Sequence, residues 1–338
     1  MKAYFINLVM VLLLALAGHG LLFAYVANRG SFPIEAEYWV GDELILKNWL
    51  ADRAGSNRRI LILSGSSGLF GIDSGLIERR TGLKTINLST HGGLSLNFQL
   101  DYADKIVRAE DLIILPLEYE YYQRPPGQYA RGSSQMALAV LPEMFRAMPL
   151  AERLGLLLRV EPRLLWEGAY VSVRRLVQPD FMRQRTPPDL ENVILKWKSA
   201  PHVGPTQYGV EATDEHGDIE RNCESKNVDW SYFVTDSSFD VNPDAVGALK
   251  AQAARWKERG ATVYVSFPAV SIEVVATPHF HEQVEKLTGL LAKEGIGTLG
   301  QPSDFLFPRH AFFNTRYHLN CDGRVKRTLI LLRHLTVP

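Results

Sequence analysis

The sequence predicts an α/β fold: a doubly wound parallel sheet with flanking helices, a helical and loop-like insertion, and an N-terminal transmembrane helix. Three observations predict it. Short, continuous apolar runs such as Arg59-Ile60-Leu61-Ile62-Leu63 and Asp111-Leu112-Ile113-Ile114-Leu115 end in glycine, serine or proline, as strands buried on both faces of a parallel sheet do. Segments of helical period alternate with them, which is the βαβ signature. The stretch from Tyr4 to Ala27 carries no charge, and about 24 helical residues rise about 36 Å, enough to cross a hydrocarbon core of about 30 Å.

Taken in order, Lys2 and the amino group precede the apolar stretch and Arg29 follows it. An N-in anchor at residues 1–28 is the expected outcome for such a first segment. The rival is a cleaved signal peptide, with Ala15-Leu16-Ala17 as the small-residue site. Either reading puts the rest of the chain outside the cytoplasm, in the periplasm of a cell with two membranes. Residues 29–57 read as a linker holding one amphipathic helix, Gly41 to Arg53. The domain from residue 58 to 338 opens with the strand Arg59–Leu63. A helix through Ile77 to Arg80 follows, capped by Asp73. Lys84–Leu88 is the second strand, Leu96–Val107 a helix and Asp111–Leu115 the third strand.

Residues 123–243 break the rhythm. Met136 to Val177 has helical period, and Gln178 to Pro243 is polar and rich in turn residues. The alternation then resumes with a helix over Asp244–Arg259, a strand over Ala261–Phe267, a helix over His279–Glu294 and a last helix over Gly323–Leu335. In such sheets functional groups gather beyond the carboxyl ends of the strands. Three segments fall there: the serine loop, the Asn87–Gly93 loop and the Glu118 loop.

Composition narrows the function. Lysine plus arginine equals aspartate plus glutamate, 37 each, so no basic excess argues for nucleic acid. The only cysteines are Cys223 and Cys321. Their spacing fits no zinc motif. Export permits a disulfide between them, though spacing does not show one. His279 and His281 alternate without a third metal ligand at clear spacing, so a solvated helix end is the better reading. Tyr119, Tyr121 and Tyr122 suit either a sugar-stacking wall or packing at a strand end.

The chemistry-bearing residues lie at the two ends of the domain. Gly65-Ser66-Ser67 closes the first strand, where a tight turn exposes a hydroxyl and neighbouring N–H groups can meet an oxyanion. His318 sits in Tyr317-His318-Leu319-Asn320 just ahead of the last helix, and histidine is suited to general base work near neutral pH.

With these two blocks the chain resembles the SGNH (GDSL-type) hydrolase superfamily. Within it, the chain is similar to the membrane-anchored DltD- and AlgJ/AlgX-like branch of envelope polysaccharide acyl modification. The segments that carry the resemblance are Gly65-Ser66-Ser67 with Gly71-Ile72-Asp73, the Asn87–Gly93 loop, and Asn314 to Gly323. It covers about residues 58–122 and 245–335. The resemblance implies Ser67 as nucleophile, His318 as base, and an oxyanion hole from the N–H groups of Ser67 and Gly92 or Gly93. It implies an esterase or O-acyltransferase that acts on acyl esters of a cell-envelope or secreted polysaccharide with no metal or cofactor. Its partners would be the membrane, an acylated glycan and, in one version, a membrane-bound O-acyltransferase.

Two departures from the family pattern matter. Leu117-Glu118-Tyr119-Glu120 stands where an asparagine oxyanion donor is expected, and Asn314 stands where an aspartate should orient the histidine. In a serine triad the change from aspartate to asparagine costs about 10⁴ in kcat. The site therefore runs as a Ser-His dyad, or a carboxylate such as Glu118, Glu120 or Asp304 substitutes, or catalysis is lost. In the last case the chain would be a binding or assembly factor of the same shape.

Overall fold

The computed structural model describes residues 2–33, 38–55, 58–130, 133, 138, 145–146, 148, 150–183, 185–186, 188–193, 208–220, 223, 239–272 and 277–336. Met136, at the start of the helical part of the insertion, and most of the polar part between residues 194 and 238 lie outside them. The chain divides into two compact units: Met1–Gly41 with Arg131–Arg185, and Asp42–Ala130 with Thr186–Pro338. The helical half of the insertion thus groups with the N-terminal segment, and the polar half with the sheet.

In the larger unit five strands form one parallel sheet: β1 (Arg59–Ile62), β2 (Lys84–Asn87), β3 (Leu112–Leu115), β4 (Thr262–Val265) and β6 (Gly297–Thr298), in the order β2-β1-β3-β4-β6. A two-strand pair, β5 (Val270–Ser271) and β7 (Leu306–Phe307), lies apart. All residues of β1 and β3 are buried, which explains their unbroken apolar runs. Pairing sets Ile60 against both Thr85 and Leu112. Ile60, Ile62, Leu112 and Ile114 then share a core with Ile72, Ile77 and Leu331. Arg59, at the start of β1, is buried and makes a two-pronged bond to Asp111, 3.0 and 2.6 Å. Such a bond neutralises a charge that could not otherwise stay inside.

The helices of this unit follow the expected order. α3 (Ser66–Gly71) leaves β1, and α4 (Ser74–Thr81) is capped by Asp73, whose side chain accepts from Leu76 N–H. α5 (Leu96–Asp104), α6 (Tyr119–Gln123), α9 (Pro243–Glu258), α10 (Pro278–Lys293) and α11 (Cys321–His334) complete it. α11 packs on α3 and α4, and α9 packs on α5, α6 and β4. The direction of strand addition reverses between β1 and β3, which is the switch point where such sheets place their ligands. Cys223 and Cys321 form a disulfide, which ties the polar insertion to the first residue of α11.

The helix expected from Gly41 is longer: α2 spans Tyr38–Arg53. The smaller unit is built on α1 (Lys2–Asn28), α7 (Leu150–Arg159) and α8 (Pro162–Val177). α1 contains one helical stretch, Tyr4–Asn28, long and apolar enough to cross a membrane, with a mean hydropathy of 2.2.

Candidate active site

β1 runs into a loop that must make room for its neighbours. A Cβ on Gly65 would fall 2.5 Å from Gly92 Cα and 2.6 Å from Glu118 Oε1, so only glycine permits the approach of these three segments. The chain then enters α3 directly at Ser66, a helix that the glycine-rich stretch did not announce.

One turn of helix decides what the two serines do. Residues four apart share a face, so Ser67 pairs with Gly71 and Ser66 with Phe70. Ser67 is fully buried. Its N–H donates to Glu118 Oε1 at 2.8 Å. Arg327 Nη1 donates to its carbonyl at 2.7 Å and to its hydroxyl at 3.1 Å. A Cβ on Gly71 would lie 2.5 Å from the same Arg327 nitrogen. Burial lowers the Arg327 pKa to about 10, against the opposing charge of Glu118, so the guanidinium stays charged at neutral pH. The expected nucleophile is therefore a hydroxyl locked to a buried cation. Ser67 and His318 share no hydrogen bond, and the Ser67 N–H expected in the oxyanion hole is already engaged.

The other face is open. Ser66 is half-buried, and neither its hydroxyl nor its N–H has a hydrogen-bond partner among the described residues. Phe70, one turn on, stacks on the His318 ring with centroids 4.0 Å apart and planes 8° apart. A Cβ on Gly92 would lie 3.6 Å from Ser66 Oγ, so the Gly92 backbone borders that hydroxyl. The Gly92 N–H is likewise unpartnered among the described residues, whereas the Gly93 N–H donates to His91 Nδ1 at 2.9 Å. Of the two glycines expected to serve an oxyanion, Gly92 keeps its donor free and Gly93 does not.

His318 is buried, and Asn314 Oδ1 lies 2.8 Å from its Nδ1. Asn314 Nδ2 donates to the Tyr208 hydroxyl at 3.0 Å, which turns the amide oxygen toward the imidazole. With Nδ1–H given to that oxygen, Nε2 carries the lone pair. Desolvation, helped by nearby His91, pushes the His318 pKa down to about 3. His91 itself is pushed down to about 4 by burial and then by Arg124.

None of the three substitute acids serves His318. Glu118 accepts from Gly65 N–H, Ser67 N–H and the Ser64 hydroxyl at 3.0, 2.8 and 2.9 Å. It is turned into the loop rather than toward an oxyanion. Glu120 is paired with Arg316 and accepts from Tyr317 OH at 2.6 Å. Asp304 accepts from Gln301 N–H at 2.7 Å and faces His334. The tyrosines of α6 are packing residues: Tyr119 meets Phe239 and Phe280, and Tyr121 and Tyr122 are buried. Among the described residues His279 faces one carboxylate, Asp240, at 3.4 Å.

Tyr208 was not visible as a site residue, since it lies in the polar insertion. Its segment is fixed by a buried polar network. Thr213 pairs with Ile219 in an isolated bridge. Asp218 accepts from Ser74 N–H, Ser74 Oγ and Asn87 Nδ2 at 2.6, 2.8 and 2.7 Å. Lys47 Nζ donates to the carbonyls of Asn87 and Gly217 at 2.8 and 2.7 Å. Arg327 was equally hidden, since in sequence it is one basic residue of a polar last helix.

Comparison with known proteins adds no relative to this geometry: no protein-family model matches the chain, and no curated protein is significantly similar to it.

Proposed function

We propose that the chain is an exported SGNH-like esterase or O-acyltransferase in which Ser66, rather than Ser67, is the nucleophile and His318 the base. The observation that supports this most is the open face of α3. It joins a hydroxyl and two N–H groups, at Ser66 and Gly92, that have no partner among the described residues, and a histidine stacked one turn away on Phe70. The β2-β1-β3-β4-β6 order, with the site at the switch between β1 and β3, agrees with the resemblance.

In this reading Ser66 Oγ attacks the acyl carbon while His318 Nε2 takes its proton. The oxyanion forms against the N–H groups of Ser66 and Gly92. The ester C–O bond then breaks, His318 returns the proton to the leaving alcohol, and an acyl-serine remains. Water or a sugar hydroxyl, deprotonated by the same nitrogen, attacks in turn and releases the acyl group. The glycan substrate rests on the family resemblance and the apolar first helix, an associational warrant. So does the extracytoplasmic location, which an alkaline phosphatase fused after Pro338 would report by its activity.

Labelling by a serine-reactive fluorophosphonate tests the assignment. Wild type and Ser67→Ala should label, and Ser66→Ala should not. A second reading has its own support. A histidine with a pKa near 3 beside a neutral amide is a weak base, as a non-catalytic assembly factor beside a membrane-bound acyltransferase would tolerate. Absence of labelling in all three proteins would favour it.

A further inference from the structure

We infer that α7 and α8 form an interfacial membrane foot, their apolar faces seated in the lipid headgroup and acyl boundary beside α1. The inference goes beyond the proposed catalysis and rests on α1 being the membrane span. Within the smaller unit, α8 is packed on the end of α1. A Cβ on Gly168 would fall 2.4 Å from Val26 Cγ1, and Phe23, Val26 and Ala27 are buried. Arg175 Nη1, in the last turn of α8, donates to the carbonyl of Gly30 at 3.1 Å. α7 meets α1 earlier, with Leu157 3.9 Å from a Cβ on Gly20. Gly20 and Val26 are six residues apart, about 9 Å along the helix axis. α7 therefore contacts α1 about 9 Å deeper than α8 does.

The outward faces of these helices are apolar where water would be costly. Leu150, Leu154 and Leu158 repeat at four-residue spacing on α7 and are exposed, Leu158 by 84%. Trp166, Tyr170, Val173 and Val177 share one face of α8 and are exposed, Trp166 by 69%. Clustered exposed apolar residues of this size mark an interaction surface. What argues for lipid is continuity. The exposed apolar surface of α1, from Tyr4 to Leu21, leads into these helices. Tyr25, Trp166 and Tyr170 supply the aromatic side chains that favour a membrane interface. Residues 150–177 hold five arginines against three glutamates, a balance that suits anionic headgroups.

The test uses the full chain in vesicles of phosphatidylethanolamine and phosphatidylglycerol. Both native cysteines are held in the disulfide, so an introduced thiol is the one labelled. An environment-sensitive fluorophore is placed at Leu158→Cys, Val173→Cys, Leu12→Cys within α1, and Glu258→Cys on exposed α9. The inference expects blue-shifted emission at Leu158 and Val173, quenched by spin-labelled lipid. Quenching at Val173 should be stronger with the spin label near the headgroup than at mid-chain, and the reverse should hold at Leu12. Glu258 should respond only to aqueous iodide. If Leu12 is quenched by lipid while Leu158 and Val173 answer to iodide like Glu258, the foot is wrong and the span stands. Labels at Leu158 and Val173 shielded from both quenchers would mean that protein covers them, which overturns the lipid assignment. Failure of lipid quenching at Leu12 removes the span and the foot together.

Discussion

The two faces of α3 hold the same residue type one position apart and use it in opposite ways. On the closed face Ser67 donates its N–H to Glu118, and its carbonyl and hydroxyl oxygens both accept from Arg327. On the other face the Ser66 hydroxyl and N–H have no hydrogen-bond partner among the described residues, the hydroxyl borders Gly92, and Phe70, one turn on, stacks on His318. The contrast teaches how a short loop can hold two neighbouring hydroxyls in opposite surroundings. Glu118 takes up the N–H groups on either side of Ser66, at Gly65 and Ser67, and the one between them has no partner among the described residues. A site is precise when its supporting groups are locked elsewhere. Here a buried carboxylate and a buried guanidinium do the locking.

The sharpest way to break the comparison is to delete each hydroxyl. Ser66→Ala should lower hydrolysis of an activated acyl ester by about 10³-fold or more, as loss of a serine nucleophile does. Ser67→Ala should leave the rate within about tenfold, because the group it removes supports rather than reacts. Steady-state kinetics on the two variants decide it. Equal, large losses would mean that the faces are not distinct, and a loss confined to Ser67→Ala would return the nucleophile to the closed face.

A smaller gain is expected from the histidine side. With no carboxylate on His318 among the described residues, Asn314→Asp should raise kcat/KM by roughly tenfold, the partial reverse of the cost known for serine triads. The new charge also favours imidazolium, so the acid limb of the pH profile should move upward from the region near pH 3 set by the buried histidine. A drop in rate with an unmoved acid limb would show that His318 is not the base.

Smaller still are the effects on the closed face. Glu118→Gln replaces an oxygen that accepts from the loop with an NH₂ that meets an N–H donor head-on. It should lower stability by about 1–3 kcal/mol, the cost of a buried unsatisfied group, and lower kcat more than it changes KM. Thermal unfolding in mild detergent and steady-state kinetics check the two halves. An unchanged midpoint would mean that the loop does not depend on this carboxylate.

Much of the sheet was legible because parallel strands buried on both faces must be apolar throughout. β1, β3 and β4 fall inside the runs read for them. The edge strand β6 was not, since Gly297–Thr298 is too short to carry a pattern. α3 was missed for a related reason: six residues with two glycines show no period. That helix bears on how the two serines are told apart. Without the helix, Ser66 and Ser67 are neighbours in a loop and nothing separates them. With it, the bulk of Phe70 and the emptiness of Gly71 mark the two faces. His318 and Asn314 could be paired through the family resemblance, whereas Tyr208 and Arg327 reach the site only through long-range packing.

The pH dependence of stability probes the open face without any substrate. Both histidines near the site are held below the ordinary value of 6.5, His318 at about 3 and His91 at about 4, first by burial. Between those values and about pH 6.5 the unfolded chain binds protons that the folded chain refuses. Stability is therefore fully present above about pH 6.5 and is lost as pH falls through the folded values. Each such histidine contributes a slope of about 1.4 kcal/mol per pH unit within its window. Between about pH 6.5 and 4 both act, and from about pH 4 to 3 His318 acts alone. His318→Gln keeps a donor for Asn314 Oδ1 and removes one titration. Measured by denaturant unfolding in detergent at several pH values, the difference between wild type and variant cancels the carboxylates common to both. It should grow by about 1.4 kcal/mol for each unit of pH across the whole window. Parallel curves would mean that His318 titrates alike in folded and unfolded chains. The imidazole would then stand in water rather than in the dry contact with Phe70 on which the open face depends.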